Sequence, residues 1–202
     1  SAGCSGYIYA VACASNMVKA GMYDNVLVIG AEILSRLVDW QDRSTCILFG
    51  DGAGAAVIGQ VDEGYGLLAS ELGSDGSLGK ILNIPASGVA EPVTHRAIDS
   101  KRIYIHMEGS EVFKAAVRHM GQTTLSTLEK AGITKEDINM FIAHQANDRI
   151  IQSLAKKLSI PSDRMYVNVD RYGNTSAASV GIALDEAVRA GLVKHGDYVV
   201  LT

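Results

Sequence analysis

Cysteine, proline and aromatic residues are all sparse in this chain. It has 3 Cys, 3 Pro and 6% aromatics in 202 residues. The cysteines form no Cys-x-x-Cys pair, which argues against a disulfide framework and against a Cys-rich zinc site. Positive charge is not in excess: Lys+Arg 18 against Asp+Glu 22 gives a net charge of -4. A global field for nucleic acid or an acidic membrane is therefore absent. No apolar run approaches the roughly 18 residues of a transmembrane helix.

Apolar material and glycine are plentiful. Hydrophobic residues make up 48% and glycine numbers 21, and mean hydropathy is +0.14. That is ample for a buried core and excludes a disordered chain. The chain opens at Ser1 directly into Gly3-Cys4-Ser5-Gly6 and stops at Leu201-Thr202, straight after an apolar run. Both ends read as interior points of a longer protein.

Ile8, Val11, Ala12, Ser15 and Val18 recur at helical spacing, with Gly21 as a stop. Val26 to Ile29 reads as a strand buried on both faces, and Thr45 to Phe49 as another. Gly50 to Gly54 reads as a tight turn, with Ala55 to Val61 returning as a strand. Residues 66–72 look extended, and 73–100 form a long surface excursion. Val112 to Leu128 marks an amphipathic helix over about 110–131, stopped by Gly132. Thr134 to Asp137 resembles a capping box. Strands are expected at 140–143, 165–169 and 198–201, and helices at 150–158 and 178–189. The alternation points to an α/β fold.

Aligning Cys4 on Asn174 brings Val18-Lys19-Ala20-Gly21 onto Val188-Arg189-Ala190-Gly191. A reactive residue, a helix, a glycine stop and a strand follow one another in both copies, the signature of a duplication. The second copy stops at Thr202, where its own hairpin would begin. The chain is thus expected to hold the end of one half-molecule (1–65) and most of a second (66–202).

Cys4 lies in a Gly-flanked turn before a helix, where unpaired N–H groups and the helix dipole favour a thiolate. A small buried apolar Cys is the competing reading. Cys13 and Cys46 read as packing residues. His144 ends one strand and precedes a helix, and Asn174 stands in the same relation to its neighbours. Ligands of open α/β sheets bind at the carboxyl ends of strands, so the three residues converge there. Gly50 to Gly54 lacks the Lys-Ser/Thr of a Walker loop and leads into a strand rather than a helix. Arg149, Lys156 and Lys157 share a helix face, and Lys114 adds a cation on another helix. They suit either an acidic partner or a solvated surface. No metal site is expected.

The segments Ala2-Gly3-Cys4-Ser5-Gly6-Tyr7, Phe49-Gly50-Asp51-Gly52-Ala53-Gly54-Ala55, His144-Gln145-Ala146-Asn147 and Gly173-Asn174-Thr175-Ser176-Ala177-Ala178-Ser179 together resemble the β-ketoacyl-acyl-carrier-protein synthase III family. The resemblance spans essentially the whole chain. It implies a thiolase-like fold of two similar α/β halves, the first incomplete here, in a longer cytoplasmic homodimer. It implies a decarboxylative Claisen condensation of an acyl-CoA primer with malonyl-acyl carrier protein, initiating type II fatty-acid synthesis. Cys4 would be the acylated nucleophile, and His144 and Asn174 the decarboxylation pair. Arg43 would contact the CoA nucleotide and Asn147 the pantetheine arm, while Phe49 and Leu34 would line the acyl pocket. Arg149, Lys114, Lys156 and Lys157 would receive the carrier protein. No cofactor is implied, coenzyme A being part of a substrate, and no nucleic-acid or membrane partner. Much of the apolar surface would pack against the missing half, including the N-terminal segment, and a second subunit.

Other readings differ in their marks. A related thiolase-fold synthase, making another ketide or 3-hydroxy-3-methylglutaryl-CoA, shares the fold. A papain-like cysteine protease shares the order Cys, His, Asn, but lacks here the aromatic after Cys4 and the Ser-Trp after Asn174. A non-catalytic partner subunit would have no need of all three reactive residues.

Overall fold

The computed structural model describes residues 2–202. Helix α1 (Gly6–Lys19) buries Tyr7, Ala12, Ala14, Ser15 and Val18 along one stripe. Strand β1 (Asn25–Ile33) follows and pairs antiparallel with β2 (Asp51–Gly59) over its full length. The excursion beyond β2 holds two short strands, β3 (Leu82–Asn83) and β4 (His106–Met107), which pair around helix α2 (His95–Asp99). Helix α3 (Gly109–Ala131) ends at Gly132, whose φ of 69° is the left-handed cap expected there. Thr134 and Asp137 form a reciprocal capping box. Then come β5 (Ile138–Ile142), α4 (Asp148–Leu158), α5 (Val169–Tyr172), α6 (Ala178–Arg189) and β6 (Tyr198–Leu201). Strand β6 runs parallel to β5, and the intervening helices supply the crossover that a parallel pair requires.

Period-two burial organises the layers. Met140 and Ile142 of β5 join Tyr7 and Ala14 of α1, Val28 of β1, and Val180, Ala183 and Ala187 of α6 in one core. Phe141 and Ala143 face the other way, against Ile151, Leu154 and Leu158 of α4. The paired helices α1 and α6 therefore lie between the sheets β1–β2 and β5–β6, with α4 outside the second sheet. Strand β5 is apolar on both faces because both are covered.

The two segments aligned in the sequence end their helices alike. Gly21 and Gly191 end their helices at φ 67° and 71°. Met22 N–H donates to Met17 O at 3.0 Å, and Leu192 N–H donates to Ala187 O at 3.0 Å. The same cap recurs at matching positions, followed by β1 in one copy and β6 in the other.

The structure differs from the sequence expectations at several places. Gly50 to Gly54 is no turn: β2 begins at Asp51. A Cβ on Gly54 would lie 2.6 Å from Ile182 N, and one on Gly30, its partner across the ribbon, 2.5 Å from Ala177 O. These glycines let α6 rest directly on the strand backbones. Thr45 to Phe49 forms turns, because Asp42 accepts from Ser44 N (2.9 Å), Ser44 Oγ (2.6 Å) and Thr45 Oγ1 (3.0 Å). Only Phe49 makes a bridge, to Asn174. Within 165–169 only Met165 bridges, to Phe141, and Val169 already starts α5. The outer face of β1 is uncovered, with Leu27 60% and Ile29 57% exposed, against 3% for Val28 between them. Cys13 is exposed rather than packed.

Gly54→Ala is expected to destabilise the fold by roughly 1–3 kcal/mol, because the clash is with helix backbone. At Gly76 an added methyl group would meet nothing within 4 Å, so Ala should be tolerated there within about 0.5 kcal/mol. Denaturant titration of the two variants checks the contrast.

Candidate active site

Cys4 sits in a single 3-10 turn, Gly3–Ser5, that leads straight into α1. Gly3 takes φ 53° there, a left-handed conformation that a side chain would resist. The Cβ position of Gly6 lies 3.3 Å from Ala177 Cβ. The start of α1 thus touches the start of α6, and the residues leading into both helices share one space.

His144 lies two residues past the last residue of β5. Its N–H donates to Thr202 O at 2.5 Å, and Thr202 N–H donates to Ile142 O at 3.1 Å, extending the β5–β6 pairing to the histidine. The ring Nδ1 lies 2.6 Å from Ser179 Oγ in the first turn of α6. With Nδ1 occupied, Nε2 is the free end of the ring.

Asn174 is 8% exposed and held by backbone at both sides. Its N–H donates to Leu48 O at 2.8 Å, and its carbonyl accepts from Gly50 N–H at 2.9 Å. A Cβ on Gly50 would meet Tyr172 O at 2.0 Å, so only glycine permits this approach. The Asn174 side-chain Oδ1 accepts from Ser176 N–H at 2.8 Å. That bond fixes the amide and leaves its NH2 group as the free end. Ser176 itself has φ 48°, a strained conformation for a serine that the surrounding packing enforces.

The Cys4 thiol meets two of these groups, His144 and Ser176. Burial pushes it up, but the charge of His144 and hydrogen bonds from His144 and Ser176 outweigh burial. The negative charge of Glu32, at the end of β1, opposes them, and the net result is a thiol below its ordinary value. Cys4 remains partly exposed, as a group that reacts with a ligand must be.

The remaining sequence candidates fall into two groups. Leu34 is buried in a turn at the end of β1, and Phe49 lies beside Asn174, both at the same end of the ribbon. Arg43 is exposed on the Asp42–Ser44 turn. Asn147 caps α4, its Oδ1 accepting from Ile150 N–H at 2.9 Å. Arg149 and Lys156 are exposed on α4. Lys157 turns away from them: its Nζ donates to Val117 O at 3.3 Å, and its stem lies over Gly121 of α3. Lys114 pairs with Glu111 at 2.8 Å. The basic residues are therefore not one free cluster, because α3 packs against α4 and engages Lys157. No group of three or more His, Cys, Asp or Glu among the described residues could hold a metal ion.

Residues outside the sequence expectation complete the surroundings. Gln145, 1% exposed, donates from Nε2 to Ala143 O (2.8 Å) and Tyr166 O (3.2 Å) and accepts Asn168 N–H at 2.9 Å. Glu186 accepts from Asn168 Nδ2 (2.7 Å), Tyr172 Oη (2.7 Å) and Arg171 (2.9 Å). Ser176 and Ser179, three apart at the start of a helix, share a face. That spacing was the available signal for them.

Comparison with known proteins identifies the family to which this chain is similar. Residues 1–76 match the family 3-oxoacyl-[acyl-carrier-protein (ACP)] synthase III, and residues 128–202 match its C-terminal family. The β-ketoacyl-[acyl-carrier-protein] synthase III of Caldanaerobacter subterraneus subsp. tengcongensis is 56% identical over 199 residues, 98% of this chain and 60% of that protein. The crystal structure of the synthase III from Thermus thermophilus superposes with a TM-score of 0.90 at 49% identity, covering 99% of this chain and 61% of that one. The Aquifex aeolicus enzyme gives 0.89 at 48% identity, covering 100% and 60%. The chain spans about three-fifths of the length of these relatives.

Alkylation of Cys4 is expected to reach half its maximal rate below the pH typical of a free cysteine. In His144→Ala burial and Glu32 remain while the main opposing charge is gone, so the midpoint should move up. Iodoacetamide labelling across pH, read by mass spectrometry on the Cys4 peptide, checks both.

Proposed function

The chain belongs to the 3-oxoacyl-[acyl-carrier-protein] synthase III family, and from that membership we propose that it carries the reactive centre of a decarboxylating condensing enzyme. The observation that supports this best is a lowered thiol beside His144 and Ser176, with Asn174, its NH2 end free, bonded through Oδ1 to Ser176. The Cys4 thiolate attacks the carbonyl carbon of an acyl-CoA primer. The carbon–sulfur bond to coenzyme A breaks, and the released thiolate takes a proton. Malonyl-carrier protein then binds. Loss of carbon dioxide leaves the electron pair of the broken carbon–carbon bond on an enolate. Nε2 of His144 and Nδ2 of Asn174 donate to its thioester oxygen. The enolate carbon attacks acyl-Cys4, and the Cys4 thiolate departs, leaving a β-ketoacyl-carrier protein. Decarboxylation itself creates the carbanion, so no strong base is required.

Substrate contacts follow the same reading. Arg43, exposed on its turn, would meet the CoA nucleotide, and Asn147 would stand near the pantetheine arm while capping α4. Leu34 and Phe49 would line the acyl pocket. Arg149 and Lys156 are the better-placed cations for an acidic carrier, with Lys114 and Lys157 contributing through their neighbours. The reading places residues 1–65 in one half of the molecule and 66–202 in the other, within a cytoplasmic homodimer that uses no cofactor beyond its substrates.

In the complete protein, acetyl-CoA is expected to add an acetyl group to the Cys4 peptide, and Cys4→Ala to abolish this. No adduct on any cysteine would overturn the reading. Asn174→Ala should still acylate but condense ~10²–10³ times more slowly, measured by carbon dioxide release from malonyl-carrier protein.

A further inference from the structure

The hydrogen bond between His144 and α6 has a consequence for the chemistry of the ring, and the inference drawn from it rests on the condensing-enzyme reading above. Ser179 is 2% exposed. Its Oγ lies 2.6 Å from His144 Nδ1 and 3.4 Å from Gln145 N. The backbone N–H of Gln145 can only donate, so the hydroxyl oxygen accepts from it. The hydroxyl proton must then go elsewhere, and among the described residues Nδ1 is its only acceptor. A neutral imidazole has one donor nitrogen and one acceptor nitrogen. Were the proton on Nδ1, the serine oxygen would face two donors and its own buried proton would have no acceptor, an arrangement folded proteins avoid.

We propose that Ser179 is a positioning residue that selects the tautomer of His144, keeping the ring proton on Nε2, the nitrogen that faces Cys4 and the substrate oxygen. The serine touches neither substrate nor thiol. It works through the ring, as second residues fix histidines elsewhere. A carboxylate in the same place would hold the ring charged throughout and favour a base rather than a neutral donor.

The test uses the complete protein labelled with 15N histidine. In Cys4→Ala the nitrogen shifts of His144 should report protonated Nε2 and bare Nδ1. In Cys4→Ala/Ser179→Ala they should move towards a mixture of the two tautomers. Ser179→Ala in the active enzyme should lower kcat for condensation by at least about tenfold, with KM for malonyl-carrier protein within about twofold. Ser179→Thr, which keeps the hydroxyl, should recover most of the rate. Protonated Nδ1 in Cys4→Ala, or shifts unmoved by removing Ser179, would overturn the proposal. Should the wild-type protein fail to condense at all, the functional reading fails, while the nitrogen shifts still decide the role of Ser179.

Discussion

How closely one helix can approach two strands governs the molecule. The first turns of α6 rest on the backbones of β1 and β2 at Gly30 and Gly54, where a Cβ would meet helix backbone at 2.5 and 2.6 Å. The segment entering the helix is pinned in the same manner at Gly50. On its other side α6 meets α1 through Gly6 and Tyr7, the ring of Tyr7 filling the space beside Gly181. Asn174, Ser176 and Ser179 all belong to this stretch of chain. Their positions are therefore set by close main-chain contacts to β1 and β2, and relative to Cys4 by the packing of Ala177 on Gly6 and of the Tyr7 ring on Gly181, as a preorganised site requires.

A second set of contacts carries that rigidity to His144. Gln145 occupies a fully buried position and spends its amide on the backbone of residues 143, 166 and 168. This explains why the residues after Met165 leave the sheet: their polar groups find a side chain where a strand neighbour would otherwise stand. Glu186 continues the connection from Asn168 and Tyr172 back to α6. Burial pushes its carboxyl up, but hydrogen bonds from Asn168 and Tyr172 and the charge of Arg171 outweigh burial and keep it low. The two amide groups and the carboxylate thus tie the loop before Asn174 to both the histidine turn and the helix.

The chemistry and the packing then depend on one another. A thiol pushed up by burial is a poor nucleophile, and the charge and hydrogen bonds that reverse the effect come from elements far apart in sequence. His144 contributes only because β6 extends the pairing past Ile142 to the histidine N–H. Ser176 contributes only in its left-handed conformation, which is stabilised by the Asn174 side chain it bonds. A strained residue at the meeting point of two helices is the local cost of bringing a histidine and a serine to one sulfur.

Much of this was legible in the residues themselves. The apolar spacing of Val112 to Leu128, the glycines at 21, 132 and 191, and the runs before His144 and up to Leu201 have local physical meaning, so their helices, stops and strands could be read directly. The repeated Val-basic-Ala-Gly signal pointed to a duplication, and the three reactive residues stood out at strand ends. Tertiary structure alone decided the rest. Glycines that look like a turn become a strand because a helix lies on them. Thr45 and Val169 leave the extended conformation because side chains take up the polar groups around them. Lys157 is lost to a solvent-facing cluster because α3 passes beside it. Periodicity records which face of an element is apolar, but it carries no record of which backbone lies against that face or how near it comes. Here that distance is what places His144 and Ser176 against Cys4.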